Sequence, residues 1–127
     1  AVLVSTPYMD EASRCTRIGF ITAGKIIRSG TPTEMRALLN GRVLELAGAP
    51  LASLRRIAQA DPQVEDVQMF GDRLHLRIRA AEAEPDLLPA VIGRLEQSIS
   101  EQGLKIERLR PIPPQLEDVF MSLLEAE

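Results

Sequence analysis

The chain has 127 residues, a net charge of −3 and a single cysteine. This length suits one ordinary domain or two small units, and the balanced charge gives no indication of nucleic-acid binding. One cysteine excludes an internal disulfide framework, and no apolar run approaches the ~20 residues of a membrane-spanning helix. Because aromatic residues make up 3% of the chain and tryptophan is absent, we expect an aliphatic core.

The first 30 residues predict a strand, a short helix and a β-hairpin. Val2–Val4 is a β-rich apolar run typical of a buried strand. Because no neighbouring strand is assigned to it, its edges need covering, and we expect either disorder near the N-terminus or pairing with another chain. Asp10 and Glu11 lie where the first turn of a helix favours negative charge. The hairpin is predicted over Ile18–Arg28, with Gly24 supplying the positive φ of its turn.

The same hairpin nearly matches a phosphate-binding loop between Gly19 and Ile26. That motif requires Ser or Thr after its lysine and a helix beginning there. Here Lys25 is followed by Ile26 and by further strand residues. We therefore interpret the segment as a hairpin.

A helix start and a domain boundary follow. Thr31 as N-cap, Pro32 at the first helical position and Glu34 at the third form a capping box. The helix is predicted to end at Asn40-Gly41, where the composition changes. This boundary predicts two domains, residues 1–40 and residues 41–127.

The second domain reads as alternating short elements. They are a strand at 42–47, a helix at 50–60, strands at 64–70 and 73–79, a helix at 87–102 and a strand at 104–109. An acidic loop, Glu82 to Asp86, precedes the longer helix. The order β-α-β-β-α-β is the ferredoxin-like pattern, an antiparallel sheet with both helices on one face.

A final helix is predicted over residues 115–125, after a proline-rich connector. Its apolar side chains recur at helical spacing and form one stripe, with the candidate interface residues Leu116, Val119, Phe120 and Leu123. The stripe is either a docking surface or core cover. We favour packing onto the second domain or the boundary, because an exposed stripe invites aggregation.

The strand over residues 73–79 alternates strictly and leaves four basic residues on its other face: Arg73, His75, Arg77 and Arg79. Two hypotheses remain open for this basic stripe. It binds an anion or an acidic surface such as the loop of a second copy, or it is an ordinary solvated face, which charge runs favour. His75 has no second ligand at metal-site spacing, so no metal site is predicted.

Two short stretches resemble a known family. Ser5–Ala12 reads Ser-Thr-Pro-Tyr-Met-Asp-Glu-Ala, and Leu116–Phe120 reads Leu-Glu-Asp-Val-Phe. Both are similar to motifs of the ATP-binding subunits of bacterial drug-exporter ABC transporters. The resemblance implies a fold in two parts. An α/β remnant of the nucleotide-binding cassette, with strand, helix, hairpin and helix, precedes an α+β ferredoxin-like domain and a C-terminal helix.

The resemblance also implies a function for a longer parent protein. The parent would couple ATP binding and hydrolysis, with Mg²⁺, to export, at the cytoplasmic face of the inner membrane. Its partners would be a second cassette or subunit and transmembrane permease subunits. The Walker A, Walker B and signature motifs would lie upstream, so we expect this chain to be no enzyme by itself and to serve self-association or regulation.

Pro7 departs from the family pattern. In the family a histidine stands at this position and contacts the γ-phosphate of ATP. Proline has neither a side-chain donor nor a backbone N–H, so the resemblance implies a cassette impaired in hydrolysis. The residues alone also allow a structural role for Pro7 at the first position of the helix.

A hypothesis from a different functional class also remains open. The second domain would then be a stand-alone ferredoxin-like module that binds a small ligand or associates with itself, and the first 40 residues would be an appendage. Glycines at turns beside a shared pocket would support this reading. The candidates are Gly41, Gly48 and Gly71, and they share no common motif.

Overall fold

A computed structural model describes residues 2–79 and 87–125. In this part of the chain two sheets and five helices form two compact units. Ala1–Asn40 and Pro114–Glu127 make one, called here the hairpin unit. Gly41–Pro113 makes the other, called the four-stranded unit. The predicted acidic loop lies outside the described residues.

The hairpin unit contains five elements. They are α1 (Met9–Ala12), β1 (Ile18–Thr22), β2 (Lys25–Gly30), α2 (Pro32–Ala37) and α5 (Leu116–Glu125). Helix α5 contacts α2, and the rings of Phe20 and Phe120 lie 5.1 Å apart between centroids. The last helix therefore groups with the first 40 residues, whereas the sequence interpretation grouped it with residues 41–127. The apolar stripe alone could not identify which partner it covers.

The hairpin and the capping box are confirmed. Strands β1 and β2 pair antiparallel, and the turn between them holds Ala23 and Gly24 at φ values of 50° and 77°. At the start of α2, the backbone N–H of Glu34 donates to Thr31 Oγ1 over 3.1 Å. The N–H of Thr31 donates back to Glu34 Oε2 over 3.2 Å. These reciprocal bonds satisfy donors that a helix start leaves unpaired.

Val2–Val4 does not form a buried strand in this chain. The segment has no strand structure, and Val2 and Leu3 are 90% and 99% exposed. A strand buried in a parallel sheet needs hydrogen-bonded neighbours, and no described strand pairs with this segment. The sequence predicts that the first helix continues to about Cys15-Thr16, but α1 ends at Ala12.

The four-stranded unit contains six elements. They are β3 (Val43–Ala49), α3 (Leu51–Ala60), β4 (Val64–Phe70), β5 (Arg73–Ile78), α4 (Leu87–Glu101) and β6 (Lys105–Pro111). The strands lie in the order β4-β5-β3-β6. Every neighbouring pair is antiparallel. The two strands adjacent in sequence, β4 and β5, therefore form one side of the sheet.

One aliphatic cluster holds this unit together. Alternate residues of the strands and the inner sides of α3 and α4 supply it: Leu44, Leu46, Leu54, Ala58, Val64, Val67, Leu74, Leu76, Ile78, Val91, Leu95 and Ile99. Period-two residues on the strands and helical spacing on α3 and α4 bring these side chains to one face of the sheet. The opposite face is left to the charged residues of the same strands.

Both edge strands carry a β-bulge at an acidic residue. The pairing of β4 with β5 shifts between Val64 and Asp66, so Glu65 is the extra residue. The pairing of β6 with β3 places Arg108 and Ile106 opposite consecutive residues, so Glu107 is the extra residue. A bulge leaves one residue unpaired and increases the local twist.

None of the helices among the described residues is both long and apolar enough to cross a membrane.

Candidate functional site

The family-like stretch Ser5–Ala12 is mostly exposed and ends in the one-turn helix α1. Helix α1 begins at Met9, with Tyr8 as its N-cap and no side-chain cap. The backbone N–H of Tyr8 donates to Thr6 Oγ1 over 3.0 Å. Thr6 therefore closes a local turn around Pro7.

Pro7 stands before the N-cap, not at the first helical position. The prediction that Pro7 occupies the first helical position is therefore wrong. At its actual position, the N–H that proline lacks is not one of the unpaired donors of the helix start. Its ring offers no donor to a phosphate. Asp10 and Glu11 lie in the first turn of α1, where negative charge interacts favourably with the backbone N–H groups.

The second family-like stretch lies on α5. Leu116 and Val119 are buried, while Phe120 and Leu123 are half-buried. The backbone N–H of Gln115 donates to Asp118 Oδ2 over 2.9 Å, which orders the start of the helix as in half of a capping box. Two of the four candidate interface residues on this helix thus belong to the interior.

The structure does not place the four basic stripe residues on one solvated surface. His75 and Arg77 are buried, at 3% and 6% exposure. The ring of His75 lies 4.3 Å from that of Phe70 between centroids. Arg79 is exposed and donates through Nε to the Pro62 carbonyl over 3.0 Å.

Arg77 lies in an ion-pair network on the β4 side of the sheet. Its Nε is 2.8 Å from Glu65 Oε2, and its Nη1 is 3.7 Å from Asp66 Oδ2. Arg42 reaches the same Glu65 oxygen at 3.1 Å. The positive charge of Arg77 is therefore balanced by carboxylates of β4, and Arg77 makes further interactions besides these.

Arg73 belongs to a different group, centred on the buried carboxylate of Glu45 in β3. Arg73 Nη1 lies 3.2 Å from Glu45 Oε2. Two arginines of β6 reach the other oxygen, Arg108 Nε at 3.0 Å and Arg110 Nη2 at 3.3 Å. We call Arg73, Arg108 and Arg110 the arginine trio.

Strand register explains why these side chains meet. Arg110 lies directly opposite Glu45 on one side, and His75 lies opposite it on the other. Arg73 and Arg108 both lie opposite Ala47, one from each neighbouring strand. Directly opposed residues of an antiparallel pair point to the same face, so the small side chain of Ala47 separates two guanidinium groups that converge on Glu45.

The trio changes the acidity of Glu45. Burial by itself would raise the pKa of this carboxyl, but hydrogen bonds from Arg108 and Arg73 and the charge of Arg110 outweigh burial. The pKa of Glu45 is therefore below its ordinary value, and the carboxylate is ionised at neutral pH. Three guanidinium charges against one carboxylate leave an excess of positive charge at this place.

Sequence reasoning missed Glu45, Arg108 and Arg110. One signal was present, since Glu45 is the only charged residue within the apolar run Val43–Ala47. A buried carboxylate requires a partner, so that position predicts a cation on a neighbouring strand. The identity of the strand depends on the sheet order, which the sequence did not supply.

An open cleft lies between α4 and β6. Its volume is about 510 Å³, and its lining combines apolar and charged side chains: Glu96, Ile99, Ser100, Gly103, Leu104, Ile106, Glu107, Arg108 and Leu109. Among residues 2–79 and 87–125, no group of three or more His, Cys, Asp or Glu side chains could hold a metal ion.

Comparison with known proteins gives consistent relatives. No family model matches the chain. It is 26% identical over 123 residues to a daunorubicin resistance ATP-binding protein of Streptomyces coeruleorubidus, covering 96% of this chain and 37% of the relative. It is 29% identical over 126 residues to a probable multidrug ABC transporter ATP-binding protein of Escherichia coli, covering 97% and 20%.

A third relative is the Nod factor export ATP-binding protein I of Bradyrhizobium diazoefficiens, 29% identical over 128 residues. That alignment covers 99% of this chain and 37% of the relative. The chain thus spans between a fifth and about two fifths of the length of these relatives. Its homologues, matched along nearly its whole length, are ABC transporter ATP-binding proteins of drug resistance, multidrug transport and Nod factor export.

Proposed function

We propose that this chain is the C-terminal part of the ATP-binding subunit of an export-type ABC transporter. The observation that carries the proposal is the place of the two family-like stretches. Ser5–Ala12 and Leu116–Phe120 are separated by more than 100 residues of sequence, yet both belong to the hairpin unit. Residues 1–40 are then the end of the nucleotide-binding cassette, and α5 returns to it after the accessory domain that begins at residue 41.

The accessory domain is proposed to have a ferredoxin-like fold. Its β-α-β-β-α-β order, its antiparallel sheet and its two helices on one face support this assignment. By the proposal, this domain serves pairing with a second cassette or regulation, beside the permease subunits that carry the substrate. The parent protein binds ATP and Mg²⁺ through residues outside this chain, and the chain itself performs no catalytic step.

Pro7 leads to a specific proposal about the rate of ATP hydrolysis. A proline before the N-cap of α1 cannot donate a hydrogen bond to a γ-phosphate. We therefore infer that the parent cassette hydrolyses ATP slowly and depends on a partner cassette for turnover.

The test is the ATPase rate of the complete ATP-binding subunit carrying Pro7→His. We expect a rise of roughly 100-fold, the contribution of one well-placed donor in other enzymes. Tyr8→His is the matched control, because it introduces the same imidazole one residue away and should leave the rate unchanged. An equal rate for Pro7→His and the natural protein, with ATP still bound, would contradict the hydrolysis proposal.

The pairing role has its own test. Size exclusion with light scattering, over a concentration series of the present chain, gives its solution mass. A concentration-dependent dimer supports pairing through this part of the protein. A monomer throughout the series contradicts pairing and directs the search to permease contacts.

The cleft between α4 and β6 favours a second candidate, a small-ligand module. A volume of about 510 Å³ is within the ordinary range for small-molecule sites. Thermal shift against a metabolite panel tests this candidate. A reproducible rise in melting temperature that Ile106→Arg abolishes would support it. If no metabolite of the panel raises the melting temperature, the cleft does not bind the classes of compound in the panel.

A further inference from the structure

We propose that the arginine trio is a binding site for a phosphate group. The site belongs to the four-stranded unit and is independent of the ATP site of the proposed parent cassette. Its ligand is a phosphate-bearing molecule, either free or as the headgroup of a lipid.

The arginine trio carries an excess of positive charge. Arg73, Arg108 and Arg110 carry three positive charges around the single carboxylate of Glu45. The exposed Asp72, 3.6 Å from Arg73 Nε, offsets part of the excess. Even with Asp72 counted, the group keeps a net positive charge that an anion would neutralise.

The three guanidinium groups also have hydrogen-bond donors that Glu45 does not use. Arg73 donates one hydrogen bond to Glu45 through Nη1, and Arg108 donates one through Nε. Arg110 Nη2 lies 3.3 Å from the same carboxylate. Arginine has a planar fork of N–H donors that matches phosphate oxygens in pairs. Since these contacts use at most one donor of each residue, further donors of all three remain for an oxyanion.

The trio is both accessible to a ligand and held in place by Glu45. The side chains of Arg73, Arg108 and Arg110 are 43%, 38% and 60% exposed, while that of Glu45 is 4% exposed. The buried carboxylate on β3 anchors three partly exposed guanidinium groups on the two strands that flank it, β5 and β6. Anchoring reduces the conformational entropy that long side chains lose when a ligand binds.

Glu45 therefore has two opposed effects in this proposal. It orients the trio, and its negative charge also competes with an anionic ligand for the positive charge of the trio. A phosphate binds by adding contacts to the free donors and by sharing the trio with Glu45. This predicts that neutralising Glu45 strengthens phosphate binding even as it weakens the fold.

The experiment is a titration of the whole chain with inorganic phosphate and with pyrophosphate, followed by NMR of the arginine Nε–Hε groups. We expect saturable shifts at the trio, and about ten-fold weaker binding in Arg110→Gln, the loss of one charge-assisted contact. Arg55→Gln, an exposed change of equal charge on α3, is the matched control and should bind as the natural chain does.

A second arm distinguishes the sources of phosphate. Co-sedimentation with phosphatidylglycerol vesicles, against phosphatidylcholine vesicles, tests a lipid headgroup. Vesicle binding that Arg110→Gln abolishes assigns the site to lipid, and saturable binding of free phosphate without vesicle binding assigns it to a soluble ligand. Failure of both, or equal responses of Arg110→Gln and Arg55→Gln, overturns the proposal.

Glu45→Gln supplies an independent measurement. Phosphate should raise its melting temperature more than that of the natural chain, because the competing carboxylate is gone. An equal or smaller rise would contradict the competition. Both outcomes are separate from the proposed transporter function, which predicts nothing about phosphate at this sheet.

Discussion

The two units of the chain bury their apolar residues to very different extents. The four-stranded unit encloses a cluster of twelve buried residues between its sheet and two helices. Among the described residues of the hairpin unit, five large apolar residues are buried: Phe20, Met35, Leu39, Leu116 and Val119. Of the seven large hydrophobic residues that are exposed in the described part of the chain, six belong to this unit. The four-stranded unit thus has the core of an independent domain, whereas the hairpin unit has a two-stranded sheet, which is marginal by itself.

The difference between the cores of the two units is tested most strongly by Leu95→Ala. This side chain is 1% exposed in the four-stranded core, and its truncation should cost about 3 kcal/mol. Amide hydrogen exchange in β5 measures the loss. Leu39→Ala removes an equally buried leucine of the hairpin unit and should leave exchange in β5 unchanged. Faster exchange in β5 for Leu39→Ala would show that the two units unfold together.

Gly48→Ala should be nearly as damaging at the junction of β3 and β6. A Cβ at residue 48 would collide with the Lys105 carbonyl oxygen and lie 3.2 Å from Ile106 Cα. Because both atoms are backbone, the sheet must shift, at a cost of about 2 kcal/mol. Gly93→Ala is the control, because a Cβ at this position would meet nothing within 4 Å. This substitution should stabilise α4 by about 0.5–1 kcal/mol. Urea unfolding separates the two variants, and equal effects would refute the close approach.

Glu45→Gln tests the charged face of the same sheet. Because the guanidinium groups are more than a third exposed, we expect a loss of only about 1–2 kcal/mol at pH 7. The folded pKa of Glu45 is lowered. The stabilisation by its charge is therefore complete above the unfolded pKa of about 4.3 and is lost as pH falls through the folded pKa. Urea unfolding of both proteins from pH 7 to pH 3 should show the difference shrinking, and a constant difference would disprove the electrostatic origin.

The smallest expected effect belongs to the hairpin unit. Thr31→Ala removes the N-cap acceptor of α2 and should cost about 1 kcal/mol, seen as faster exchange of amides in α2. Thr33→Ala, two residues further along the same helix, has no capping bond to lose and is the control. If Thr31→Ala also accelerates exchange in β5, the two units are coupled.

Local patterns in the sequence predicted local structure well. The capping box from Thr31 to Glu34 and the hairpin turn at Gly24 depend on neighbours a few residues apart, and both are present. Period-two alternation likewise located the core residues of β5. In each case the interaction that forms the structure lies within the window that the pattern covers.

Such local patterns could not predict contacts between distant segments of the chain. The bonds from Glu45 to Arg73 and Arg108 span 28 and 63 residues of sequence, so they depend on which strands become neighbours. The final helix was recognised from its stripe, but its partners Phe20 and α2 were not. Val2–Val4 has the composition of a strand, and composition cannot supply the neighbours that a strand requires.

The bulges at Glu65 and Glu107 have a consequence for how this sheet meets other chains. Each interrupts the regular ladder of N–H and C=O groups on an outer strand and places a carboxylate there. Strand addition requires an uninterrupted edge, and bulges with charged residues are a common protection against it. Two copies are therefore not expected to join edge to edge into one continuous eight-stranded sheet. The bulges on both edge strands also oppose open-ended polymerisation. Any specific pairing of the four-stranded unit must use its faces or its helices.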